Sequence, residues 1–294
     1  RKAANRIRLT AQLLDGTSGN HLWAERYDRD LEDIFDLQDE LTQTIVGAIE
    51  PELNKAEQAR ARLKKPDNLG VWDIYQRGMS ELHKLTAESL PKAEAAFSRV
   101  TEMDPNFAPA FTGLANLQYY NLVLGHAADP DTARRAALAA GRQAVTVDRE
   151  DSDAHCALGR ADMSNRMFDE AMSEFRHAID LNPSDALAHY SLGAAHVFRG
   201  QPDLSLPHLD DAIRLSPQDA NMGSFLVRKA QAMLYLRRYE DAVDWARRAL
   251  LLPNFQWSRY AVLASALGHL GRTEEAASAL NELLQRIPDF SEQY

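Results

Sequence analysis

The 294-residue chain carries 43 acidic against 33 basic residues, a formal net charge of −10 that argues against nucleic acid or anionic lipid as a partner of this region. Hydrophobic residues at 45% and charged residues at 26% fit a folded protein, and only 14 Gly and 12 Pro favour helices over a loop-rich β fold. The single cysteine, Cys156, excludes an intrachain disulfide, and no apolar run approaches the ~20 residues of a membrane helix.

Residues 7–13 alternate apolar and polar at period two, the signature of a half-buried strand. Residues 14–20 are dense in turn formers, and a second short strand follows over residues 21–27, so the opening predicts a β-hairpin. A lone hairpin is marginal in water and needs a covering helix or further strands. Residues 33–41 lead into Ile45, Val46 and Ile49 at helical spacing. Pro51 is expected to kink or break this helix before a polar helix resumes at Leu53. The basic run 60–65 complements the end of that helix rather than forming a nucleic-acid patch. Residues 66–70 mark the expected domain boundary, dividing the chain into 1–66 and 67–294. With Arg1 at its start and residues 290–294 resembling the opening of another helix, the sequence reads as a piece of a longer protein.

From Val71 onward the pattern is helical and repeats itself. Leu158-Gly159 recurs as Leu192-Gly193, Ala178 as Ala212 and Asn182-Pro183 as Ser216-Pro217, all at an offset of 34. These residues resemble the tetratricopeptide repeat family, with Leu-Gly in helix A, Ala at the crossing, an aromatic and Ala in helix B, and Pro at the exit. The third unit matches at Leu158, Gly159, Phe168, Ala171, Phe175, Ala178 and Pro183. The fourth carries Leu192, Gly193, Leu209, Ala212 and Pro217, the fifth Ala230, Tyr239, Ala242 and Ala249, and the sixth Leu263, Ala264, Ala276 and Pro288. Unit one, marked by Gly78, Ala93, Phe97 and Pro105, holds about three extra residues at its turn. Unit two, marked by Leu114, Ala115, Ala137 and Ala144, holds about ten extra near residues 122–131. The expected fold class is mainly α, a tetratricopeptide α-solenoid of about six helix hairpins with a short N-terminal α/β remnant. Each hairpin has two apolar faces, so the units must stack.

Residues 24–40, with 8–15 and His21-Leu22-Trp23, look like the closing half of a TolB-like α/β domain. That module precedes tetratricopeptide arrays in bacterial class III adenylate/guanylate cyclases and in some CadC-type transcriptional regulators. The resemblance implies a non-catalytic scaffold or regulatory region of a signalling protein, with a cyclase as the leading parent and the DNA-binding regulator as the alternative. It implies the cytoplasm, or the periplasm if a membrane helix lies upstream.

In tetratricopeptide proteins the inner face of helix A lines a groove for a protein or peptide. Carried over, this predicts Arg160 and Met163, Tyr190, Val197 and Phe198, then Gln231, Leu234 and Tyr235, then Ser265 and His269, with Tyr119 and Tyr120 in the stretched second unit. The Lys/Asn clamp of chaperone-tail adaptors is not recognisable where Tyr75, Met79, Thr112, Asn116, Cys156 and Arg160 stand.

Other chemistry finds no support. The acidic set Asp28, Asp30, Glu32, Asp33, Asp36 and Asp39 lacks a calcium-loop pattern and fits acids entering a helix. His155 and His189 occupy equivalent repeat positions with His196 nearby, but without metal-ligand spacing. Residues 16–20 lack the Lys-Ser/Thr ending of a phosphate loop, and Cys156 has no evident activating base. We therefore expect no catalytic residue, no metal and no cofactor; the partner is a protein or peptide, and a homodimer is open through the edge of the hairpin.

Overall fold

The computed structural model describes residues 2–3, 6–16, 19, 21–30, 70–217, 219, 221–252, 257–288 and 290, with single positions 42, 45, 49, 53 and 56. They fall into two compact units, residues 1–188 and 189–294.

The first unit opens on an antiparallel sheet of β1 (Lys2–Ala3), β2 (Arg6–Leu14) and β3 (His21–Asp30), in that order. Leu9 faces Tyr27, Ala11 faces Glu25 and Leu13 faces Trp23. Period-two alternation therefore puts Ala11, Trp23 and Tyr27 on one face, where Tyr27 is buried against Ala11, Trp23 and Ile45. Ile45 belongs to the helix expected after the hairpin: positions 42, 45, 49, 53 and 56 are helical. Pro51, the basic run 60–65 and residues 66–69 of the expected boundary lie outside the described residues. Strand β3 runs three residues further than the sequence predicts. Within this extension Asp28 stands opposite Arg8, and the Arg8 Nε donates to its Oδ1 at 2.6 Å. At the turn the Gly19 N–H donates to the Asp15 carbonyl at 2.7 Å.

Three hairpins follow in the first unit: α1 (Val71–Leu82) with α2 (Leu90–Met103), α3 (Ala108–Val123) with α4 (Pro130–Val147), and α5 (Ser152–Ser164) with α6 (Phe168–Leu181). Helix α7 (Ala186–Phe198) lies mostly in the second unit and pairs in sequence with α8 (Pro202–Leu215). Two more hairpins complete that unit, α9 (Met222–Tyr235) with α10 (Tyr239–Leu250) and α11 (Trp257–His269) with α12 (Thr273–Arg286).

Local chemistry punctuates each hairpin. Asp129 and Asp151 cap α4 and α5, accepting from the N–H groups of Asp131 and Asp153 at 3.1 and 3.0 Å. The exits of α2, α4 and α6 are Asx turns, in which Asp104, Asp148 and Asn182 each accept the N–H two residues on at 3.0 Å. The crossing takes a small residue, Gly in three hairpins and Ala in the others. A methyl on Gly78 would sit 2.6 Å from a ring carbon of Phe97, and one on Gly159 equally close to Phe175. Both rings are fully buried. In the second unit a methyl on Gly193 would lie 2.8 Å from the Leu209 Cγ.

Seven residues past the crossing position in five of the hairpins, the A–B turn passes through the left-handed region at Leu85, Arg166, Gly200, Arg237 and Gly271, with φ between 52° and 72°; in the lengthened second hairpin Gly125 takes that conformation ten residues past Ala115. The extra length expected in unit one lies at its turn, where Thr86 and Ser89 exchange two side-chain-to-backbone bonds at 3.1 Å. The extra length in unit two is shared: α3 has 16 residues and α4 has 18, against 13 and 14 in α5 and α6. The second unit contains a further close fit. Arg259 is 4% exposed and its Nη1 donates to the Ala249 and Leu252 carbonyls at 2.9 and 3.1 Å. A Cβ on Gly223 would fall 1.9 Å from its Nη2.

Candidate functional site

Residues one and five places after each crossing residue share a face of helix A, since four residues make about one turn. From the second hairpin onward they are Asn116 and Tyr120 in α3, Arg160 and Ser164 in α5, Ala194 and Phe198 in α7, Gln231 and Tyr235 in α9, and Ser265 and His269 in α11.

In the first unit this face forms one connected group. The Arg160 guanidinium lies 3.9 Å from the Tyr119 ring centre and 4.8 Å from that of Tyr120. Its Nη1 donates to the Asn116 Oδ1 at 2.9 Å. Burial works against the charge, yet the surrounding tyrosine oxygens raise its pKa above the ordinary arginine value, so it stays cationic. Arg160 is 3% exposed; Met163, Tyr119 and Tyr120 are partly exposed around it.

In the second unit a row of side chains faces outward. Phe198 and Tyr235 are each 51% exposed. The Arg228 guanidinium sits 4.3 Å over the Phe198 ring, and its Nη1 donates to the Gln231 Oε1. The Gln231 Nε2 in turn donates to the Tyr235 hydroxyl at 2.8 Å. Contacts thus run unbroken from Phe198 through Arg228 and Gln231 to Tyr235.

Three residues expected on the groove are buried instead and present little surface: Arg160, Tyr190 and Val197. Arg160 is covered by its two tyrosines, and Tyr190 stacks on Phe225 with ring centres 4.8 Å apart. Val197 lies on the packed side of α7, next to the exposed Phe198. Leu234 packs against the core of the second unit. His269 is exposed, and its ring lies flat on Tyr239 at 4.6 Å. Sequence reasoning missed Arg228, because it lies three residues before Gln231 and outside the family's groove positions. The available signal was its place one helical turn away on the same face.

The other candidates resolve into packing. His155 Nδ1 lies 2.6 Å from Glu174 and its Nε2 3.0 Å from the Arg149 carbonyl. His189 Nδ1 is 3.8 Å from Asp211, and His196 lies parallel to His208 at 5.9 Å. Among the described residues no group of three or more His, Cys, Asp or Glu could hold a metal ion. Cys156 is buried in α5. Asp28 and Asp30 sit in β3 rather than at a helix entrance, and Glu32, Asp33, Asp36 and Asp39 lie outside the described residues. Among the described residues no helix is long and apolar enough to cross a membrane.

The hairpin geometry, the crossing glycines and the recurrent left-handed turn define a mainly helical protein of the tetratricopeptide α-solenoid class. Residues 156–220 and 258–290 each match the tetratricopeptide repeat family. Among curated proteins, 172 residues are 38% identical to "Putative adenylate cyclase 3" of Rhizobium meliloti (strain 1021), covering 58% of this chain. The chain spans 29% of that relative's length. Similar solved folds include a chain of the APC/C hetero-tetramer Cut9-Hcn1, with a TM-score of 0.65 and 18% identity over 85% of this chain and 46% of that one. Pseudomonas aeruginosa pilF aligns with a TM-score of 0.54 and 15% identity over 81% and 95%. The human IFIT1 dimer with m7Gppp-AAAA aligns with a TM-score of 0.64 and 16% identity over 80% and 55%. These likenesses concern fold, and a fold shared by such different assemblies does not name a ligand.

Proposed function

We propose that this chain is a non-catalytic protein- or peptide-binding scaffold that regulates a bacterial adenylate/guanylate cyclase of which it forms part. The observation that carries the binding role is the row from Phe198 to Tyr235, two half-exposed aromatic rings joined by a polar bridge on successive A helices. Aromatic anchors with adjacent polar groups suit a peptide or helix laid in a groove. The 38% identity to a protein named as an adenylate cyclase supports the parent assignment. Residues 1–66 are read as the end of a TolB-like module and 67–294 as the array, with groove occupancy or flexing of the array altering an upstream output domain.

Placing a charge at Phe198 or Tyr235 tests the groove. Phe198→Asp and Tyr235→Asp should each weaken partner capture in a pull-down by about tenfold or more, the scale of a hot-spot loss, while circular dichroism shows unchanged helicity. Undiminished capture with both variants would remove the groove assignment.

A further inference from the structure

Resting on the groove reading above, we infer that the Phe198–Arg228–Gln231–Tyr235 row of the second unit binds an internal peptide segment in which a Glu or Asp side chain lies between apolar side chains. The argument begins with the company Arg228 keeps. Its contacts are neutral: the face of Phe198 and the amide oxygen of Gln231. Its Nε is buried and makes no hydrogen bond among the described residues. No described carboxylate lies within ion-pair reach of it. Four other cations of the same unit end on acids, Arg214 on Asp211 at 3.0 Å, Arg238 on Asp241 at 2.7 Å, Arg247 on Glu275 at 2.7 Å, and Lys229 on Asp210, while the buried Arg259 is held by backbone carbonyls and Arg248 lies over Trp245. In a chain with ten more acids than bases, Arg228 is a partly exposed guanidinium held only by neutral groups, and it is placed to receive an anion supplied from outside.

Geometry narrows that anion to a side chain within a segment. Phe198 and Tyr235 bracket Arg228 in the order of contacts, and each leaves about half its ring open. A ligand that placed a chain-end carboxylate on Arg228 would leave one of these rings bare. A segment running through covers both, with apolar residues on either side of the acid. The ring beneath the guanidinium lowers the local dielectric, which strengthens a carboxylate contact relative to one on open surface. Arginine suits this place better than lysine, since its planar fork can stack on Phe198 and still present an edge to a carboxylate.

The test is a selection of random twelve-residue peptides displayed on phage against the full 294-residue chain, repeated in parallel on Arg228→Gln. Peptides selected on the native chain should be enriched in Glu or Asp flanked by Leu, Ile, Phe or Met. The selected peptides, made synthetically with a fluorescent label, should bind at least about tenfold more weakly to Arg228→Gln and weaken with added salt, as expected for one charge-assisted contact. Peptides without acid enrichment, or binding unchanged by Arg228→Gln, overturn the acidic-segment proposal while leaving the groove intact, provided Phe198→Asp still abolishes binding. Peptides that bind equally to Phe198→Asp and Tyr235→Asp, or no selected peptide at all, overturn both.

Discussion

Asp162 shows how a single residue sets a pH response. It lies on α5, 4% exposed, and burial pushes its carboxyl up to about 6, helped by Glu174 and Glu170 and opposed by Arg142. The unfolded value is near 3.9. Because the folded pKa is the higher one, the folded state holds the proton more tightly between the two values. Stability from this group is intact below about pH 4, falls as pH rises towards 6, and stays reduced above it. Asp162→Asn should therefore gain roughly 1–2 kcal/mol at pH 7.5 and almost nothing at pH 4, after allowance for residual solvation. Urea unfolding at the two pH values measures this, and an equal gain at both would assign the effect to something other than ionisation.

At the scale of the element, the A–B turn is the clearest recurring device. Five of its left-handed positions are filled by two glycines, Leu85, Arg166 and Arg237. An L-residue there costs about 1–2 kcal/mol, while glycine gives back up to about 1 kcal/mol through its freer unfolded chain. Arg237 is exposed, so little beyond the backbone is at stake. Arg237→Gly should stabilise by about 0.5 kcal/mol and Gly200→Ala should destabilise by about 1 kcal/mol, both read from denaturant midpoints. The close-approach positions were legible in the sequence because Gly159 and Gly193 each stand sixteen residues before the Phe175 and Leu209 side chains they face, and Gly78 stands nineteen before Phe97, the three extra residues lying in the turn of unit one. The spread of the ten extra residues into α3 and α4 was not legible, since helix-forming sequence there does not say where a hairpin turns. Exposure along the groove was equally hidden. Arg160 and Gln231 hold the same repeat position, yet one is sealed under tyrosines and the other lies partly open. The difference is made by the preceding A helix, which offers Tyr119 and Tyr120 in one case and Phe198 in the other.

For the molecule as a whole, the chain alone should not convert ATP or GTP to a cyclic nucleotide. Incubation with either nucleotide and magnesium or manganese, followed by chromatography, checks this, and robust turnover would overturn the scaffold reading. The repeat array was readable from sequence through its 34-residue period, whereas the N-terminal sheet was readable only as a hairpin. Its third strand, Lys2–Ala3, is too short to carry a pattern of its own. The fit of Arg259 against Gly223 has a consequence for how such an array can change over generations. Repeats are commonly regarded as exchangeable beads, gained or lost by duplication and deletion. Here α11 supplies a side chain that fills the space above a glycine in α9 and holds the carbonyls at the end of α10. Losing either hairpin alone would leave Arg259 without its carbonyls or Gly223 without the side chain that fills its space, so this joint ties the last two hairpins together more closely than exchangeable beads would be.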